Sequence, residues 1–127
     1  MLKILVAEDE PEILRLYKLL LEDEGYQVFT TIDGQDCLDR YKIEFEKTKE
    51  KSPPFDLVLL DHRMPKKDGA EVAIEILALC PTQRLLMVTV FAGHHDLQVE
   101  KLKKMEKLEK PFDPDELLTT ISKLLRP

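Results

Sequence analysis

The sequence predicts an α/β fold in which a doubly wound, five-stranded parallel sheet carries helices on both faces. Along the 127 residues, short apolar runs alternate five times with segments whose apolar residues recur at helical spacing. The apolar runs are nearly continuous, as expected of parallel strands that are buried on both faces. Right-handed crossovers between such strands give a doubly wound sheet, and the chain length suits one core. We therefore expect residues 1–127 to form a single domain.

The first strand and helix open the chain. Leu2 to Val6 is an aliphatic run that fits a buried strand, and Asp9 can cap a helix that has Pro11 in its first turn. Gly25 is expected to end this helix. The apolar stripe of the helix consists of Ile13, Leu16, Tyr17, Leu20 and Leu21.

The second unit comprises a strand over residues 27–31 and a helix that follows the Asp33-Gly34 turn. The apolar stripe of this helix consists of Cys37, Leu38, Tyr41 and Phe45. The helix continues into the charged stretch EKTKEKSPP, whose two prolines indicate a frayed helix end and a loop.

The rest of the chain supplies three further strands and three further helices. The strands are predicted at residues 55–60, 84–90 and around Leu108. The helices are predicted at residues 69–79, 97–104 and from Asp113 onward. The last helix has a cap at Asp113, a proline at position 114 and an acid at Glu116, which is a typical helix start. Its apolar stripe consists of Leu117, Leu118, Ile121, Leu124 and Leu125.

Composition and charge exclude several classes of protein. With 43% hydrophobic and 35% charged residues, the sequence is typical of a globular domain rather than a disordered segment. A net charge of −6 argues against direct contact with nucleic acid, and no apolar stretch is long enough to span a membrane. The N-terminus does not resemble a signal peptide, and the two distant cysteines indicate buried thiols in a reducing compartment. We therefore expect a cytoplasmic protein.

Charged and hydroxyl side chains follow four of the predicted strands. Glu8 and Asp9 come after the first strand, Asp61 after the third, Thr89 at the end of the fourth and Lys110 after the fifth. In doubly wound folds, ligands bind beyond the carboxyl ends of the strands, near the point where the strand order reverses. We therefore expect three acids, a hydroxyl and an ammonium group to converge at one edge of the sheet.

This set of residues fits a phosphoryl group and a hard divalent cation. Carboxylate oxygens are preferred ligands of Mg²⁺, which would balance the like charges and keep Asp61 ionised. A carboxylate can accept a phosphoryl group, and such a transfer depends mainly on positioning and charge neutralisation. Lys110 can supply a point charge for this reaction, and the Thr89 hydroxyl can donate to a phosphoryl oxygen.

Four stretches carry a resemblance to a known family: KILVAEDEPEI, DLVLLDHRMPKKDG, LLMVTVFA and KPFDPDEL, in this order. With them the sequence resembles the receiver domains of two-component response regulators, of the chemotaxis-regulator type, over essentially its whole length. The resemblance implies the flavodoxin-like receiver fold and a phosphoacceptor at Asp61. It also implies a metal site for Mg²⁺, with Mn²⁺ as an alternative. Its ligands would be Glu8, Asp9, Asp61 and the main-chain carbonyl of Arg63.

The resemblance further implies a switch that responds to the phosphoryl group. Thr89 corresponds to the family's switch hydroxyl and Lys110 to its phosphate-binding lysine, which precedes a cis peptide bond to Pro111. The positions expected to tune the switch or the phosphoryl lifetime are Arg63, Val90, Phe91 and Lys107.

The sequence departs from the family pattern at several of these positions. Glu8 stands where an aspartate is commoner, and Val90 stands where a small residue is usual. Lys107 replaces an aromatic residue that turns inward on activation, for which Phe91 is one substitute. Glu109 replaces an apolar residue. The coupling of Thr89 to an aromatic residue is therefore expected to differ in this chain.

Two other groups of residues have alternative interpretations. His94, His95 and Asp96, with His62 as a third histidine, could bind a metal, but a solvated polar loop is the favoured interpretation. Lysines at positions 101, 103, 104, 107 and 110 alternate with glutamates, which favours a solvated helix face over a nucleic-acid surface.

The sequence thus predicts a phosphoprotein that acts as a switch in signal transduction. A sensor histidine kinase, a phosphotransfer protein of a phosphorelay or a small acyl phosphate would donate to Asp61 in a Mg²⁺-dependent reaction. The partner-binding surface would then change, and a downstream protein target or output domain would respond. A phosphorylation-linked homodimer is an additional expectation. The domain would assist its own phosphorylation and dephosphorylation without being an enzyme, and we expect no output domain within the 127 residues.

Two alternatives belong to other functional classes. An aspartate-nucleophile phosphohydrolase would also place an acid after the first strand, but in a D-x-D pattern that AEDE lacks. A degenerate receiver would bind partners without phosphorylation, as Lys107, Val90 and Glu109 suggest, although Asp61, Thr89 and Lys110 are retained. Mg²⁺-dependent labelling distinguishes the three hypotheses. A phosphohydrolase would turn over many phosphates per chain, a degenerate receiver would take up none, and a switch would hold one.

Overall fold

Five parallel strands form one sheet in the computed structural model, which describes residues 1–126. The strands are β1 (Lys3–Ala7), β2 (Gln27–Thr31), β3 (Leu57–Asp61), β4 (Leu85–Thr89) and β5 (Glu106–Glu109). Their order across the sheet is β2-β1-β3-β4-β5, so the order reverses between β1 and β3. The predicted doubly wound parallel sheet is confirmed.

Within residues 1–126, four α-helices and one 3₁₀ helix connect the strands, and a fifth α-helix follows the last strand. They are α1 (Pro11–Asp23), α2 (Gly34–Lys47), α3 (Gly69–Leu79), α4 (Glu100–Lys103) and α5 (Pro114–Leu124), with the 3₁₀ helix at His95–Gln98. Asp33, Asp68 and Asp113 cap the N-termini of α2, α3 and α5. In the last two helices a glutamate at N3 completes a capping box, so the sequence itself fixes where these helices start.

Each face of the sheet carries its own apolar core. On one face, Leu5 and Val58 pack with Tyr41 of α2 and Ile76 of α3. On the other face the core includes Ile4, Val6, Leu57 and Leu59 of the sheet, Tyr17 and Leu21 of α1, and Leu117 and Ile121 of α5. Successive residues of a strand point to opposite faces, so the continuous apolar runs fill both cores.

Several predicted boundaries differ from the structure. β1 starts and ends one residue later than predicted, and β3 and β4 are shorter, so Val90 lies outside β4 and is 74% exposed. The helix predicted at residues 97–104 is divided into the 3₁₀ helix and the single turn of α4. The division occurs at Val99, whose backbone is extended, with φ −66° and ψ 147°. Within the described residues, no helix combines the length and the apolar character that a membrane span requires.

Candidate functional site

The ends of β1 and β3 bring three carboxylates together at the carboxyl edge of the sheet. Ala7 pairs with Leu60, so Glu8 and Asp9 follow β1 beside Asp61, the last residue of β3. One carboxylate oxygen from each of the three acids lies within 4.8 Å of the others. We call Glu8, Asp9 and Asp61 the acidic cluster. It lies where the strand order reverses, which is the expected ligand position in this class of fold.

Lys110 reaches the acidic cluster from the end of β5. Its ammonium nitrogen Nζ donates to Asp61 Oδ1 at 3.1 Å, and the two side chains are 28% and 9% exposed. The Lys110–Pro111 peptide bond is cis, as expected. The structure therefore brings four of the predicted site residues into one group: Glu8, Asp9, Asp61 and Lys110.

Burial sets the protonation of the acidic cluster. Loss of hydration on burial raises the pKa of Glu8 from 4.5 to about 7; the hydrogen bond from Glu10 N opposes this rise, and the charge of Asp61 adds to it. Burial also raises the pKa of Asp61, even though the nearby Lys110 ammonium lowers it. Three carboxylates thus share a site with one cation, and the site has an excess of negative charge.

The acidic cluster fits a hard divalent cation. All its donor atoms are carboxylate oxygens, the ligand type that Mg²⁺ and Mn²⁺ prefer. Glu8 Oε2 accepts a hydrogen bond from Glu10 N at 3.0 Å, whereas the buried Oε1 has no hydrogen-bond partner among the described residues. A buried oxygen without a partner is costly unless a cation satisfies it. The role of the Arg63 carbonyl as a further metal ligand stays a prediction.

Thr89 is buried near the acidic cluster, but its hydroxyl bonds elsewhere. Thr89 Oγ1 lies 2.9 Å from His62 Nδ1 and 3.4 Å from the carbonyl oxygen of Phe91. Among the described residues, the Thr89 hydroxyl makes no hydrogen bond to Asp61 or Lys110, although the Lys110 backbone N–H donates to the Thr89 carbonyl oxygen at 2.7 Å. His62 is 2% exposed, and burial lowers the pKa of its imidazole. The predicted switch hydroxyl is therefore held by a histidine next to Asp61.

His62 also connects the end of β3 to the loop after β4. Its Nε2 lies 3.4 Å from Asp96 Oδ2, and the ring of His94 packs edge-on against the His62 ring at 5.0 Å between centroids. Arg63 contacts both His94 and Asp96 with its guanidinium group. His95, in contrast, is exposed. His94 and Asp96 are therefore partly exposed residues that also contact His62 and Arg63, whereas His95 is solvated as expected.

The predicted tuning positions lie in different surroundings. Phe91, like Val90, is largely exposed, and its ring covers Gly93. The ammonium nitrogen of Lys107 donates to the carbonyl oxygens of Leu102, Lys103 and Met105 at 3.0, 3.3 and 3.0 Å. Lys107 thus stabilises the C-terminal end of α4, where carbonyl groups lack helical partners.

Sequence reasoning missed the contacts of His62 with Thr89 and of Glu109 with the loop after β4. Glu109 Oε1 accepts a hydrogen bond from Ala92 N at 3.0 Å. A usable signal was the parallel pairing of strand ends, which places Glu109 beside Thr89 and Val88 beside Asp61. The polar residues that follow these strand ends therefore had to lie near one another.

Comparisons with known proteins agree with this geometry. The family described as response regulator receiver domain matches residues 4–122. The chain is 33% identical to the Bacillus subtilis alkaline phosphatase synthesis transcriptional regulatory protein PhoP, over 98% of this chain and 48% of PhoP. It is 34% identical to the Staphylococcus aureus response regulator ArlR, over 99% of this chain and 53% of ArlR. The chain therefore spans about half the length of these curated relatives.

Solved structures support the same assignment. The Vibrio cholerae chemotaxis response regulator CheY4 superimposes with a TM-score of 0.79 at 28% identity, covering 98% of this chain and 99% of CheY4. The Thermotoga maritima response regulator TrrA, solved in complex with Mg(2+)-BeF, has a TM-score of 0.77 at 32% identity, covering 98% of this chain and all of TrrA (100%). The fold is flavodoxin-like, and the chain belongs to the response regulator receiver domain family, whose members act in phosphorylation-dependent two-component signalling.

Proposed function

We propose that this receiver domain accepts a phosphoryl group on Asp61 in a Mg²⁺-dependent reaction and changes its partner-binding surface in response. The donor would be the phosphohistidine of a sensor histidine kinase or phosphotransfer protein, or a small acyl phosphate. One observation carries the proposal. The carboxylate of Asp61 lies between the Lys110 ammonium, at 3.1 Å, and the carboxylates of Glu8 and Asp9, within 4.8 Å.

In the proposed transfer, an oxygen of the ionised Asp61 carboxylate attacks the phosphorus atom of the donor. A phosphorus–oxygen bond forms while the phosphorus–nitrogen bond of phosphohistidine breaks, and the bonding electron pair leaves with the imidazole, which then takes a proton from solvent. Lys110 supports the reaction because its ammonium group stabilises negative charge on the phosphoryl oxygens. Ionised Asp61 is required. Burial raises the pKa of this carboxyl, and the Lys110 ammonium favours the ionised state by opposing that rise.

A magnesium ion would be held by Glu8, Asp9 and Asp61, with the Arg63 carbonyl as the further predicted ligand. When bound, it would neutralise charge on the carboxylates and on the phosphoryl oxygens. Support comes from the unpartnered Glu8 Oε1 and from the complex of TrrA with Mg(2+)-BeF, a protein that is 32% identical.

The proposed switch is an exchange of hydrogen-bond partners by Thr89. In the structure its hydroxyl bonds to His62. A phosphoryl group on Asp61 adds about −1.5 to −2 charges and strong acceptor oxygens, which would draw the hydroxyl away from His62. Moving a two-state equilibrium from 1:99 to 99:1 requires about 5.5 kcal/mol. A new charge-assisted hydrogen bond from Thr89 would contribute about 1.5–3 kcal/mol. Stronger attraction of the added charge to Lys110, which already bonds to Asp61, and to a bound Mg²⁺ would contribute the rest.

We further propose how the domain works within a signalling pathway. It would assist its own phosphorylation and dephosphorylation without acting as an enzyme on other substrates, as one receiver domain over residues 1–127 in the cytoplasm. Its output would be contact with a downstream protein or an output domain, with a phosphorylation-linked homodimer as one form of that contact. The name of PhoP includes transcriptional regulation, but the charge of −6 argues that this domain itself does not touch nucleic acid.

The experiment is an intact-mass measurement after incubation with acetyl phosphate. We expect a gain of one phosphoryl group on the native chain with Mg²⁺, and no gain in EDTA or in Asp61→Asn. Asp115→Asn is the matched control, because Asp115 is an exposed aspartate in the first turn of α5 and is not a member of the acidic cluster. It should gain the phosphoryl group as the native chain does.

Three results would contradict the proposal. Equal labelling of Asp61→Asn would place the phosphoryl group on another residue. Release of many equivalents of phosphate per chain would favour the phosphohydrolase. A folded native chain that gains no mass from acetyl phosphate or from a phosphorylated histidine kinase would favour a degenerate receiver that only docks with partners.

A further inference from the structure

A second group of metal-ligating side chains lies beside the acidic cluster. His62 follows Asp61, whereas His94 and Asp96 come from the segment after β4. One ligating atom from each of the three lies within 4.8 Å of the others. We call these residues the histidine–aspartate cluster. It shares no residue with the acidic cluster, and the proposed phosphoryl transfer does not use it as a ligand group.

The spacing of the donor atoms matches a small tetrahedral ion. His62 Nε2 lies 3.4 Å from Asp96 Oδ2, and His94 Nδ1 lies 3.7 Å from Asp96 Oδ1. Two ligands that each bind a tetrahedral zinc ion at about 2.0–2.1 Å are separated by about 3.4 Å. The two distances run to different oxygens of Asp96, and His94 Nδ1 accepts a hydrogen bond from Asp96 N at 3.3 Å, which an ion would displace. Rotation of the Asp96 carboxylate would then let the three side chains surround an ion, which would leave the fourth position to water.

The hydrogen bond of His62 to Thr89 orients the imidazole for this role. The Thr89 hydroxyl lies within 3.4 Å of the Phe91 carbonyl oxygen, to which it can donate, so it can accept from His62 Nδ1–H at 2.9 Å. In the metal-bound form His62 would take this tautomer, so that its Nε2 lone pair faces the ion beside the Asp96 carboxylate. In the metal-free form Nε2–H can instead donate to Asp96 Oδ2 at 3.4 Å, and an ion would replace that proton. Metal-binding histidines commonly donate their other ring N–H to a fixed acceptor in this way.

Arg63 competes for the same carboxylate and imidazole. Its guanidinium lies 3.8 Å from Asp96 Oδ2 and also contacts His94 Nε2. The Arg63 side chain is 61% exposed, so it can turn into solvent when an ion binds. A neighbouring positive charge weakens the binding of a cation, and its removal should strengthen it.

We propose that His62, His94 and Asp96 form a binding site for a divalent transition-metal ion of the zinc class, separate from the Mg²⁺ site. Imidazole ligands suit Zn²⁺, Co²⁺ and Ni²⁺, whereas the all-carboxylate cluster suits Mg²⁺. The proposal concerns binding alone, so it does not depend on phosphorylation of Asp61.

The experiment is a titration of the full chain with Co²⁺, followed by visible absorption, and with Zn²⁺, followed by calorimetry. Excess Mg²⁺ is present throughout to occupy the acidic cluster. We expect one ion per chain, with the intense visible bands of tetrahedral Co²⁺. His94→Ala and Asp96→Asn should weaken binding by about 100-fold or more, because each removes one of three ligands. His95→Ala is the matched control and should leave the affinity unchanged, because His95 is an exposed neighbour outside the cluster.

Arg63→Ala should change the metal affinity of the same site in the opposite direction. It should tighten binding by about 30-fold, since a unit charge about 4 Å from a divalent ion in water contributes about 2 kcal/mol. His94 and Asp96 are about one-third exposed, at 34% and 33%, so their substitutions should leave the fold intact, which thermal unfolding would verify. The proposal is overturned if His94→Ala binds like the native chain, if Asp61→Asn alone abolishes binding, or if Arg63→Ala binds more weakly.

Discussion

The buried glutamate of the acidic cluster should destabilise the metal-free domain at neutral and alkaline pH. Glu8 is 0% exposed, its Oε1 has no partner within residues 1–126, and burial raises the pKa of its carboxyl from 4.5 to about 7. Glutamine has the same shape as the protonated acid and can accept the same bond from Glu10 N. The substitution Glu8→Gln therefore removes the ionisation and keeps the packing.

The pKa difference gives the size and the sign of the effect. A carboxyl whose pKa is higher in the folded chain binds more protons when folded, so the free energy of unfolding falls as pH rises between the two values. A difference between 4.5 and about 7 corresponds to about 3 kcal/mol, at about 1.4 kcal/mol per pH unit. The loss in free energy of unfolding is complete above the pKa of Glu8 in the folded chain, and it falls below about 1 kcal/mol near pH 5.

Urea unfolding in EDTA at about pH 8 and about pH 5 measures this effect. At the higher pH, we expect the free energy of unfolding of Glu8→Gln to exceed that of the native chain by about 3 kcal/mol, which corresponds to a melting temperature about 10 °C higher. At the lower pH, the two free energies should differ little. Glu10→Gln is the matched control, because Glu10 is exposed, and it should change stability by less than about 0.5 kcal/mol.

Adding Mg²⁺ should make the native chain more stable than Glu8→Gln. The ion stabilises only the folded chain, by about 4 kcal/mol at about 1,000 times Kd, which exceeds the penalty of about 3 kcal/mol, and Glu8→Gln has lost one of the ligands. The reasoning is refuted if Glu8→Gln is less stable than the native chain at about pH 8 in EDTA. An equal difference in the free energy of unfolding between Glu8→Gln and the native chain at both pH values would also refute the reasoning.

Three further substitutions test other parts of the molecule by urea unfolding. Gly69→Ala should cost about 2 kcal/mol or more, because the added Cβ would clash with the carbonyl oxygen of Asp61; a loss below about 0.5 kcal/mol would contradict this. Lys107→Met should lower the free energy of unfolding by about 1 kcal/mol, because the carbonyls at the end of α4 lose their hydrogen-bond donor. The mass gain from acetyl phosphate should persist. Loss of labelling in a folded protein would instead give Lys107 a role in phosphoryl transfer. Tyr41→Phe should cost about 1–3 kcal/mol, since the Tyr41 hydroxyl donates to the buried Gln83 Oε1 at 2.9 Å, and an unchanged stability would show that this bond contributes nothing net.

Most of the fold could be predicted because its signals are local. Strands that are buried on both faces appear as apolar runs, and Asp113, Pro114 and Glu116 mark the start of α5 by cap chemistry alone. The segment at residues 97–104 has a helical pattern too, but Val99 adopts an extended backbone between two short helices. Leu97 and Leu102 lie on opposite sides of this break and are both buried, so burial of apolar residues does not mark where the break occurs.

The candidate site also has features that the sequence predicts and features that it does not. The edge at which Asp61 and Lys110 lie follows from strand order, and their contact spans 49 positions of the sequence. The partner of the Thr89 hydroxyl depends instead on how His62 is rotated in the folded protein, and no residue pattern records a rotamer. The interactions of Lys107 are similar, since a lysine in a strand pattern does not reveal that its ammonium turns back to the preceding helix.

The charges of β5 have a consequence for the association of whole molecules. β5 forms one edge of the sheet, with an outer row of backbone groups that could pair with a strand from another molecule. Its sequence is EKLE, so three of its four positions carry a charge. Charged side chains on an edge strand oppose such pairing. Lys107 and Glu109, which replace an aromatic and an apolar residue of the family pattern, therefore also protect the domain against edge-to-edge aggregation.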